Sequence, residues 1–161
     1  MAADADQDAA APWYAAGLRF ECTQCGNCCT GRPGAVWFTP EEGRAMAAAL
    51  GVSEAAFIER FTRAIGVRRS LKETKTRFGH DCVFLDRERV PGKAVCAVYA
   101  TRPMQCRTWP FWPENLESPE AWAAAKASMP CHGMGHGRLH SVVEITIARD
   151  RDRKGIAFDG A

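Results

Sequence analysis

The sequence predicts a small single domain of the α+β class, with short strands, short helices and much irregular chain. Its 161 residues suit one domain with one moderate core. Helix-start signals and short runs of alternating or β-branched apolar residues follow one another along the chain, which favours mixed elements. Eight cysteines are present, four of them between positions 22 and 29. Because clustered thiolates are metal ligands, we expect these elements to be organised around a cysteine-ligated metal site.

Composition and charge exclude several classes of protein. Hydrophobic residues make up 47% of the chain and charged residues 25%, as in soluble globular domains. The net charge of +2 does not by itself imply a nucleic-acid partner. No apolar run approaches the roughly 20 residues that span a bilayer, and the first ten residues lack the basic and apolar regions of a secretory signal. We therefore expect a cytoplasmic protein whose thiols stay reduced.

The chain is expected to divide into three segments. Residues 1–16 are rich in Ala and Asp and predict a disordered tail, at the end of which Trp13 and Tyr14 could dock. Residues 17–150 would form the cysteine cluster metal-binding domain, and residues 151–161 a polar C-terminal tail. At the start of the domain, the alternation of apolar and polar residues over 18–22 predicts a short strand.

Helix signals are clearest after the first cysteines. Thr39 is a predicted N-cap, Pro40 suits the first helical position, and Glu42 completes a capping box. The helix should therefore begin there and continue to about Leu50, where Gly51 would end it.

A second helix is predicted from Ser53 to about Ile65, because apolar residues recur there at helical spacing and Gly66 would end it. Residues 63–77 are strongly basic. A solvated, strand-like surface is favoured for them, since charged runs usually face water. The alternative is an anionic partner such as RNA, which the lack of interleaved aromatic residues disfavours.

The second half of the chain predicts one hairpin and three helices. Apolar residues at 82–85 and 94–96 predict two strands joined by a turn over 86–93, which would place Cys82 and Cys96 side by side. Helices are expected over 103–109, over 118–129 and, from a capping box, over 141–150, although the β-branched residues of this last segment also suit a strand. The first of these would carry Cys106, and Pro110 would end it.

The cysteine spacing in Cys22-x-x-Cys25-x-x-Cys28-Cys29 is the strongest functional signal. Two-residue gaps let successive thiolates turn towards one centre, as in zinc knuckles and in the first three ligands of a bacterial ferredoxin. Cys28 and Cys29 are expected to serve different centres, or one of them to lie outside the ligand set, because neighbouring side chains of an extended backbone point to opposite sides. A disulfide framework is the alternative, and a reducing compartment disfavours it.

Folding is expected to gather the four single cysteines around the first group. These are Cys82, Cys96, Cys106 and Cys131. Eight thiols would supply two four-ligand sites, and thiolate ligands suit zinc and iron–sulfur equally. The ferredoxin-like triplet and the aromatic residues near the later cysteines give iron–sulfur a slight preference, although such aromatics also serve as plain core.

Two arginines flank Cys106 closely. A cation beside a thiolate lowers its pKa and offsets the negative charge of a cluster, so Arg102 and Arg107 are candidates for the site. A surface salt bridge is the alternative role for each. Among the histidines, His132 or His136 is the candidate to lie near the metal, but the glycines between them oppose a metal-binding helix.

Further residues recur around the single cysteines in a recognisable order. They are Cys82-x-Phe-Leu, Cys96-x-x-Tyr99-x-x-Arg102-Pro103-x-x-Cys106-Arg107-x-x-Pro110-Phe111 and Cys131-x-Gly. Together with the first cysteine run, this pattern over about residues 18–140 resembles the YkgJ-type cysteine cluster family, the CxxCxxCC or zinc- or iron-chelating domain. The resemblance implies a small bacterial cytosolic domain whose eight cysteines chelate metal, with Tyr99, Arg102 and Arg107 as companions at the site.

We therefore expect a metal-chelating protein that binds an iron–sulfur cluster or zinc through its eight cysteines, in a redox, metal-handling or accessory role. A flagellin lysine methylase is similar in this cysteine domain, which makes a cluster-dependent, protein-modifying enzyme one alternative. The other is a structural zinc module that binds a protein or RNA partner. No residue grouping typical of hydrolysis or nucleotide chemistry is present. The expected partners are a metal ion or cluster and, as an open alternative, a protein; a membrane is not expected and nucleic acid is not favoured.

Overall fold

The computed structural model of the protein describes residues 11–156, which contain five α-helices and eight short strands. The helices are α1 (Pro40–Leu50), α2 (Glu54–Phe61), α3 (Met104–Thr108), α4 (Pro119–Ser128) and α5 (Val142–Ile156). The strands are β1 (Leu18–Phe20), β2 (Thr62–Ile65), β3 (Arg68–Leu71), β4 (Glu73–Thr76), β5 (Gly79–Cys82), β6 (Leu85–Asp86), β7 (Val95–Cys96) and β8 (Met134–His140). They pair into four two-stranded antiparallel sheets, β1–β8, β2–β3, β4–β5 and β6–β7. This mixture of short elements confirms the α+β class.

Helix α1 forms where its local signals predict it. The Thr39 hydroxyl accepts a hydrogen bond from the Glu42 amide, and the Glu42 carboxylate accepts one from the Thr39 amide. Gly51 ends the helix in the left-handed conformation. The second carboxylate oxygen of Glu42 accepts a 2.7 Å hydrogen bond from the Met104 amide, so the same residue joins the starts of α1 and α3.

The predicted second helix is too long at its C-terminal end. Helix α2 ends at Phe61, and residues 62–65 instead form β2, which pairs with β3 in the register Ile65–Arg68. Gly66, at φ 59°, makes the tight turn of this hairpin rather than a helix cap. β-branched Thr62 and Ile65 suit a strand, and cross-strand pairing is a long-range gain that local helical spacing does not register. The basic segment is strand-like, as predicted.

The predicted hairpin near the later cysteines is present, but its register differs. Cys96 lies opposite Leu85 in β6–β7, whereas Cys82 lies opposite Glu73 in β4–β5. The chain turns between Cys82 and Leu85, so Cys82 ends one hairpin and the next begins after it. The two cysteines are therefore not cross-strand neighbours.

Strand β8 was not predicted. It pairs with β1, with His140 opposite Leu18 and Leu139 opposite Arg19. Two glycines permit this close approach, because a side chain at Gly137 in β8, or at Gly133 just before it, would collide with Glu21.

Both ends of the described chain are packed. Trp13 and Tyr14, in the segment for which composition predicts disorder, dock against the body: the Trp13 indole donates to the Leu116 carbonyl at 2.8 Å, and Tyr14 is buried. Helix α5 starts with the predicted capping box between Ser141 and Glu144. The rest of the expected N-terminal tail, residues 1–10, and residues 157–161 lie outside the described residues. In residues 11–156, no helix has both the length and the apolar composition needed to cross a bilayer.

The hydrophobic core is divided into separate clusters. One contains Met46, Phe57, Leu71, Phe84 and Val98. A second is built on Tyr14, Phe111, Leu116 and Ile145, and a third on Trp109, Ala125, Cys131 and Met134. The space between the first cluster and the other two is where the cysteine-bearing segments meet, because residues of all three clusters line the same cavity there.

Candidate metal centre

Six cysteines line one cavity of about 400 Å³. They are Cys22, Cys28, Cys29, Cys82, Cys96 and Cys106. They come from the first cysteine loop, from the ends of β5 and β7 and from α3. Folding thus gathers residues separated by up to 84 positions around one space, as the sequence predicted for Cys82, Cys96 and Cys106.

The first cysteine loop is curled rather than extended. Gln24 and Gly26 both have positive φ, 56° and 74°, and the Cys29 amide donates to the Gly26 carbonyl at 2.9 Å. The loop is fixed to the start of β7 by a 2.8 Å hydrogen bond from the Ala94 amide to the Gln24 carbonyl. A methyl group at Gly26 would come within 2.6 Å of the Ala94 Cβ, so glycine is required on steric as well as conformational grounds.

Cys28 and Cys29 do not face opposite sides. They lie in a short 3₁₀ turn, and their sulfurs are 3.7 Å apart on the same cavity. The alternation of an extended backbone, on which the prediction of two centres depended, does not apply to a helical turn. A tetrahedral metal with thiolates at about 2.3 Å has sulfur–sulfur edges of about 3.8 Å, so one metal fits between these two sulfurs.

A buried polar network holds the two cysteine-bearing blocks together. The Asp81 carboxylate accepts hydrogen bonds from the Thr30 hydroxyl and, at 2.9 and 3.1 Å, from the Arg87 guanidinium. Thr30 follows Cys29 and Asp81 precedes Cys82. The network therefore fixes the separation of two cavity cysteines from outside the cavity.

Burial makes it unfavourable for the thiols of Cys82, Cys96 and Cys106 to ionise. It raises the pKa of Cys82 to about 11 and is the main cause of the raised pKa of Cys96 and Cys106. The contact between Cys28 and Cys29 lowers the pKa of Cys28 and raises that of Cys29. Neighbouring cysteines also raise the pKa values of four cavity thiols, those of Cys29, Cys82, Cys96 and Cys106. A bound cation would reverse this balance, since it stabilises every thiolate around it.

Arg102 is the cation most directly coupled to the thiols. It lines the cavity and lowers the pKa of Cys28, and it opposes the upward shifts of Cys96 and Cys106. Its guanidinium lies 3.8 Å from the centre of the Tyr99 ring and donates to the Tyr99 carbonyl at 2.8 Å. No carboxylate pairs with it among the residues that the structure describes.

Arg107 also lines the cavity but is differently placed. Its guanidinium forms a 3.5 Å ion pair with the Glu42 carboxylate. The Arg107 side chain is 44% exposed, whereas that of Glu42 is 13% exposed. Its charge is therefore partly balanced before any metal binds, whereas that of Arg102 is not.

Two predicted ligands face elsewhere. Cys25 lines a separate cleft of about 530 Å³, and the loop residue Gln24 lines both spaces, so the loop is the wall between them. Cys131 is only 6% exposed and packs with Trp109 and Met134. A 2.6 Å hydrogen bond from the Asn27 amide group to the Pro130 carbonyl does bring the segment before Cys131 to the first loop.

The histidine at the cavity is one that the sequence did not single out. His140 lines it, with Nε2 3.0 Å from the Phe20 carbonyl oxygen and Nδ1 3.0 Å from an Arg138 nitrogen. His132 and His136 are exposed and line no part of it. The pairing of β1 with β8 places His140 beside the first cysteine loop, and because β8 was not predicted, no sequence signal pointed to this histidine.

The six thiols line one cavity but do not converge on a single point. Within residues 11–156, no three Cys, His, Asp or Glu side chains converge tightly enough to hold a metal ion as they stand. The donor set nevertheless fits a soft metal, since six thiols share one cavity with a cation and aromatic walls from Phe84, Trp109 and Phe111.

The chain was compared with known protein families and solved structures. The CxxCxxCC family, described as "Putative zinc- or iron-chelating domain", matches residues 21–132, a range that holds all eight cysteines. No solved structure matches the chain significantly.

Proposed function

Because the chain belongs to the CxxCxxCC family of zinc- or iron-chelating domains, we propose that it chelates metal through the six cavity cysteines. The observation that carries this proposal is the gathering of thiols from two distant blocks of the sequence around one cavity. The predictions that Cys25 and Cys131 are also ligands have less support, because both side chains face other surroundings.

A polynuclear iron–sulfur centre is the preferred occupant. One tetrahedral ion takes four thiolates about 3.8 Å apart, and six thiols around about 400 Å³ exceed that requirement. The aromatic wall would limit the access of water to such a centre. When bound, an iron–sulfur centre supplies one-electron redox chemistry, which suits a redox, metal-handling or accessory role.

Charged side chains of the protein would balance the charge of such a centre and fix the spacing of its ligands. Arg102, held on Tyr99 and lacking a carboxylate partner within residues 11–156, would balance part of the negative charge of the thiolates. Arg107 would contribute less, since Glu42 already shares its charge. Asp81 would act from outside, by keeping Cys29 and Cys82 at a fixed separation.

Zinc is the second candidate, and the 3.7 Å separation of the Cys28 and Cys29 sulfurs favours it. That distance is close to the edge of a zinc–thiolate tetrahedron. A zinc centre would make the domain a structural module rather than an electron carrier.

Anaerobic purification, elemental analysis and a visible spectrum test the proposal together. Brown protein with iron and acid-labile sulfide supports the cluster, and colourless protein with stoichiometric zinc supports the second candidate. Single serine variants of the six cavity cysteines should each lower metal content. Cys25→Ser and Cys131→Ser are the matched comparison. Full metal content in all six cavity variants would contradict the proposal.

A further inference from the structure

A second cavity lies on the surface formed by α1, α2 and the β2–β3 hairpin. It measures about 430 Å³, within the range of roughly 300–1,000 Å³ typical of ligand sites. Its lining combines apolar residues, among them Phe57 and Val67, with one acid and three arginines, of which two are Arg68 and Arg69. We call it the hairpin cleft. It shares no lining residue with the thiol cavity.

The apolar surface of the hairpin cleft continues onto the hairpin tip. Val67, at its rim, is 100% exposed, and Ile65 two residues earlier is 37% exposed. A single exposed valine is ordinary, but one that borders an apolar concavity enlarges a continuous patch. Such a patch suits the side chains of a binding partner.

The rim of the hairpin cleft is positively charged and already positioned. The Arg68 guanidinium lies 4.1 Å from the centre of the Trp37 ring, and Arg69 Nε donates to the Thr62 hydroxyl at 2.9 Å. Neither arginine pairs with a carboxylate among the described residues. Guanidinium groups held in this way lose less conformational entropy on binding an anion than free ones do.

The surrounding segment has the same sign of charge. Residues 60–77 contain seven Lys or Arg residues and one acid, Glu73. Glu73 is already paired with Arg63 at 3.2 Å. The hairpin therefore carries a net positive charge, which attracts a negatively charged partner.

These features together identify the chemistry of the occupant. We propose that the hairpin cleft binds an amphipathic segment of a partner protein, with apolar side chains in the cleft and Asp or Glu side chains on Arg68 and Arg69. Single-stranded nucleic acid fits less well, because base stacking needs free aromatic faces. Arg68 covers the half-buried Trp37, and Arg77 and Arg87 lie over the ring of Phe78, an exposed aromatic of the following segment, at 4.8 and 4.0 Å.

The hairpin cleft lies close to the thiol cavity without depending on it. Phe57 forms part of the cleft floor and stacks on Phe84, with ring centres 6.2 Å apart and planes 14° apart. Phe84 lines the thiol cavity. One pair of aromatic rings thus separates a docked segment from the cysteines, whatever the cysteines bind.

Selection of peptides from a random display library on the anaerobically purified, full-length protein tests this proposal. We expect the enriched peptides to combine aliphatic or aromatic residues with Asp and Glu. Synthetic copies should bind more weakly as ionic strength rises. Their affinity should fall about tenfold in Arg68→Glu and in Val67→Asp, the loss that corresponds to about 1.4 kcal/mol.

Matched substitutions outside the hairpin cleft serve as controls. Arg89→Glu and Val143→Asp make the same changes at exposed residues that do not line it, and they should leave binding unchanged. Metal content, measured on the same samples, separates failure of this proposal from failure of metal chelation.

Three outcomes would overturn the assignment. The library could yield no enriched sequence. The enriched peptides could bind Arg68→Glu and Val67→Asp as tightly as the original protein. A single-stranded RNA oligonucleotide or a phosphatidylserine vesicle, tested in parallel, could bind more tightly than the peptides and lose that binding in the same variants.

Discussion

Replacing Asp81 with asparagine tests whether the network outside the cavity holds the metal ligands in place. Asp81 is 6% exposed and accepts two hydrogen bonds from Arg87 and one from Thr30. Asparagine keeps the size and one acceptor oxygen but removes the charge. The Arg87 guanidinium, itself largely covered, then loses its ionic partner.

The expected loss follows from these contacts. A hydrogen bond between charged groups contributes about 1.5–3 kcal/mol, and breaking one side of a buried pair costs about 3–5 kcal/mol. Arg87 keeps some contact with water, so we expect the free energy of unfolding to fall by about 2–3 kcal/mol. For a chain of this length that corresponds to a fall in Tm of about 4–12 °C.

The metal should also be held less tightly. Thr30 and Asp81 adjoin Cys29 and Cys82, and substitutions beyond the ligands typically weaken metal affinity by about 10–100-fold. Asp81→Asn should therefore release metal to a competing chelator at least about tenfold faster than the original protein. Thermal melts followed by circular dichroism and a chelator-transfer assay measure the two effects.

Asp86→Asn is the matched control. Within residues 11–156, the Asp86 side chain accepts hydrogen bonds from the Glu88 and Arg89 amides of its own turn and from no other group, so its substitution should cost under about 1 kcal/mol and leave metal transfer unchanged. An Asp81→Asn protein with the same Tm and the same transfer rate as Asp86→Asn would refute the reasoning.

Three further predictions concern charge and metal. Arg102→Met should weaken metal retention or, for a redox centre, lower its reduction potential, because one cation is lost beside the thiolates; unchanged retention and potential would contradict this. Asp152 is 2% exposed, and one of its carboxylate oxygens has no partner among the described side chains. Burial raises its pKa, so its contribution to stability is greatest below about pH 4 and declines as pH rises through the folded-state pKa. Asp152→Asn should therefore raise Tm at pH 7 but not at pH 3, the difference at pH 7 corresponding to about 1 kcal/mol. Removing the metal with a chelator under reducing conditions should lower Tm and broaden the melt, and an unchanged cooperative melt would show that the metal has no structural role.

Features set by neighbouring residues could be read from the sequence, and features set by distant pairing could not. Helix α1 follows from Thr39, Glu42 and Gly51 alone, all within one short stretch. The end of α2 depends on the pairing of β2 with β3, and β8 depends on its pairing with β1, where Gly137 leaves room for Glu21. Local spacing carries neither kind of information.

The candidate site shows the same division. The sequence predicted that Cys82, Cys96 and Cys106 would join the first group, because reduced thiols in that number indicate a shared metal. It did not predict that Cys28 and Cys29 would face one cavity, because this depends on a 3₁₀ turn with positive φ at Gly26. Nor did it predict that Cys25 would line a separate cleft.

The cavity cysteines fall into two blocks of three, 22–29 and 82–106, and neither block alone supplies four ligands. A metal shared between the blocks therefore closes a ring of chain whose middle, residues 30–81, is 52 residues long. Closing a loop of that length removes about 4 kcal/mol of entropy from the unfolded chain, as a disulfide would. Every residue that lines the hairpin cleft belongs to this 30–81 segment, so a shared metal would hold both ends of the segment that forms the cleft. Because this closure restricts the unfolded chain, bound metal would stabilise the folded form of the segment, and the hairpin cleft with it, without any contact between metal and cleft.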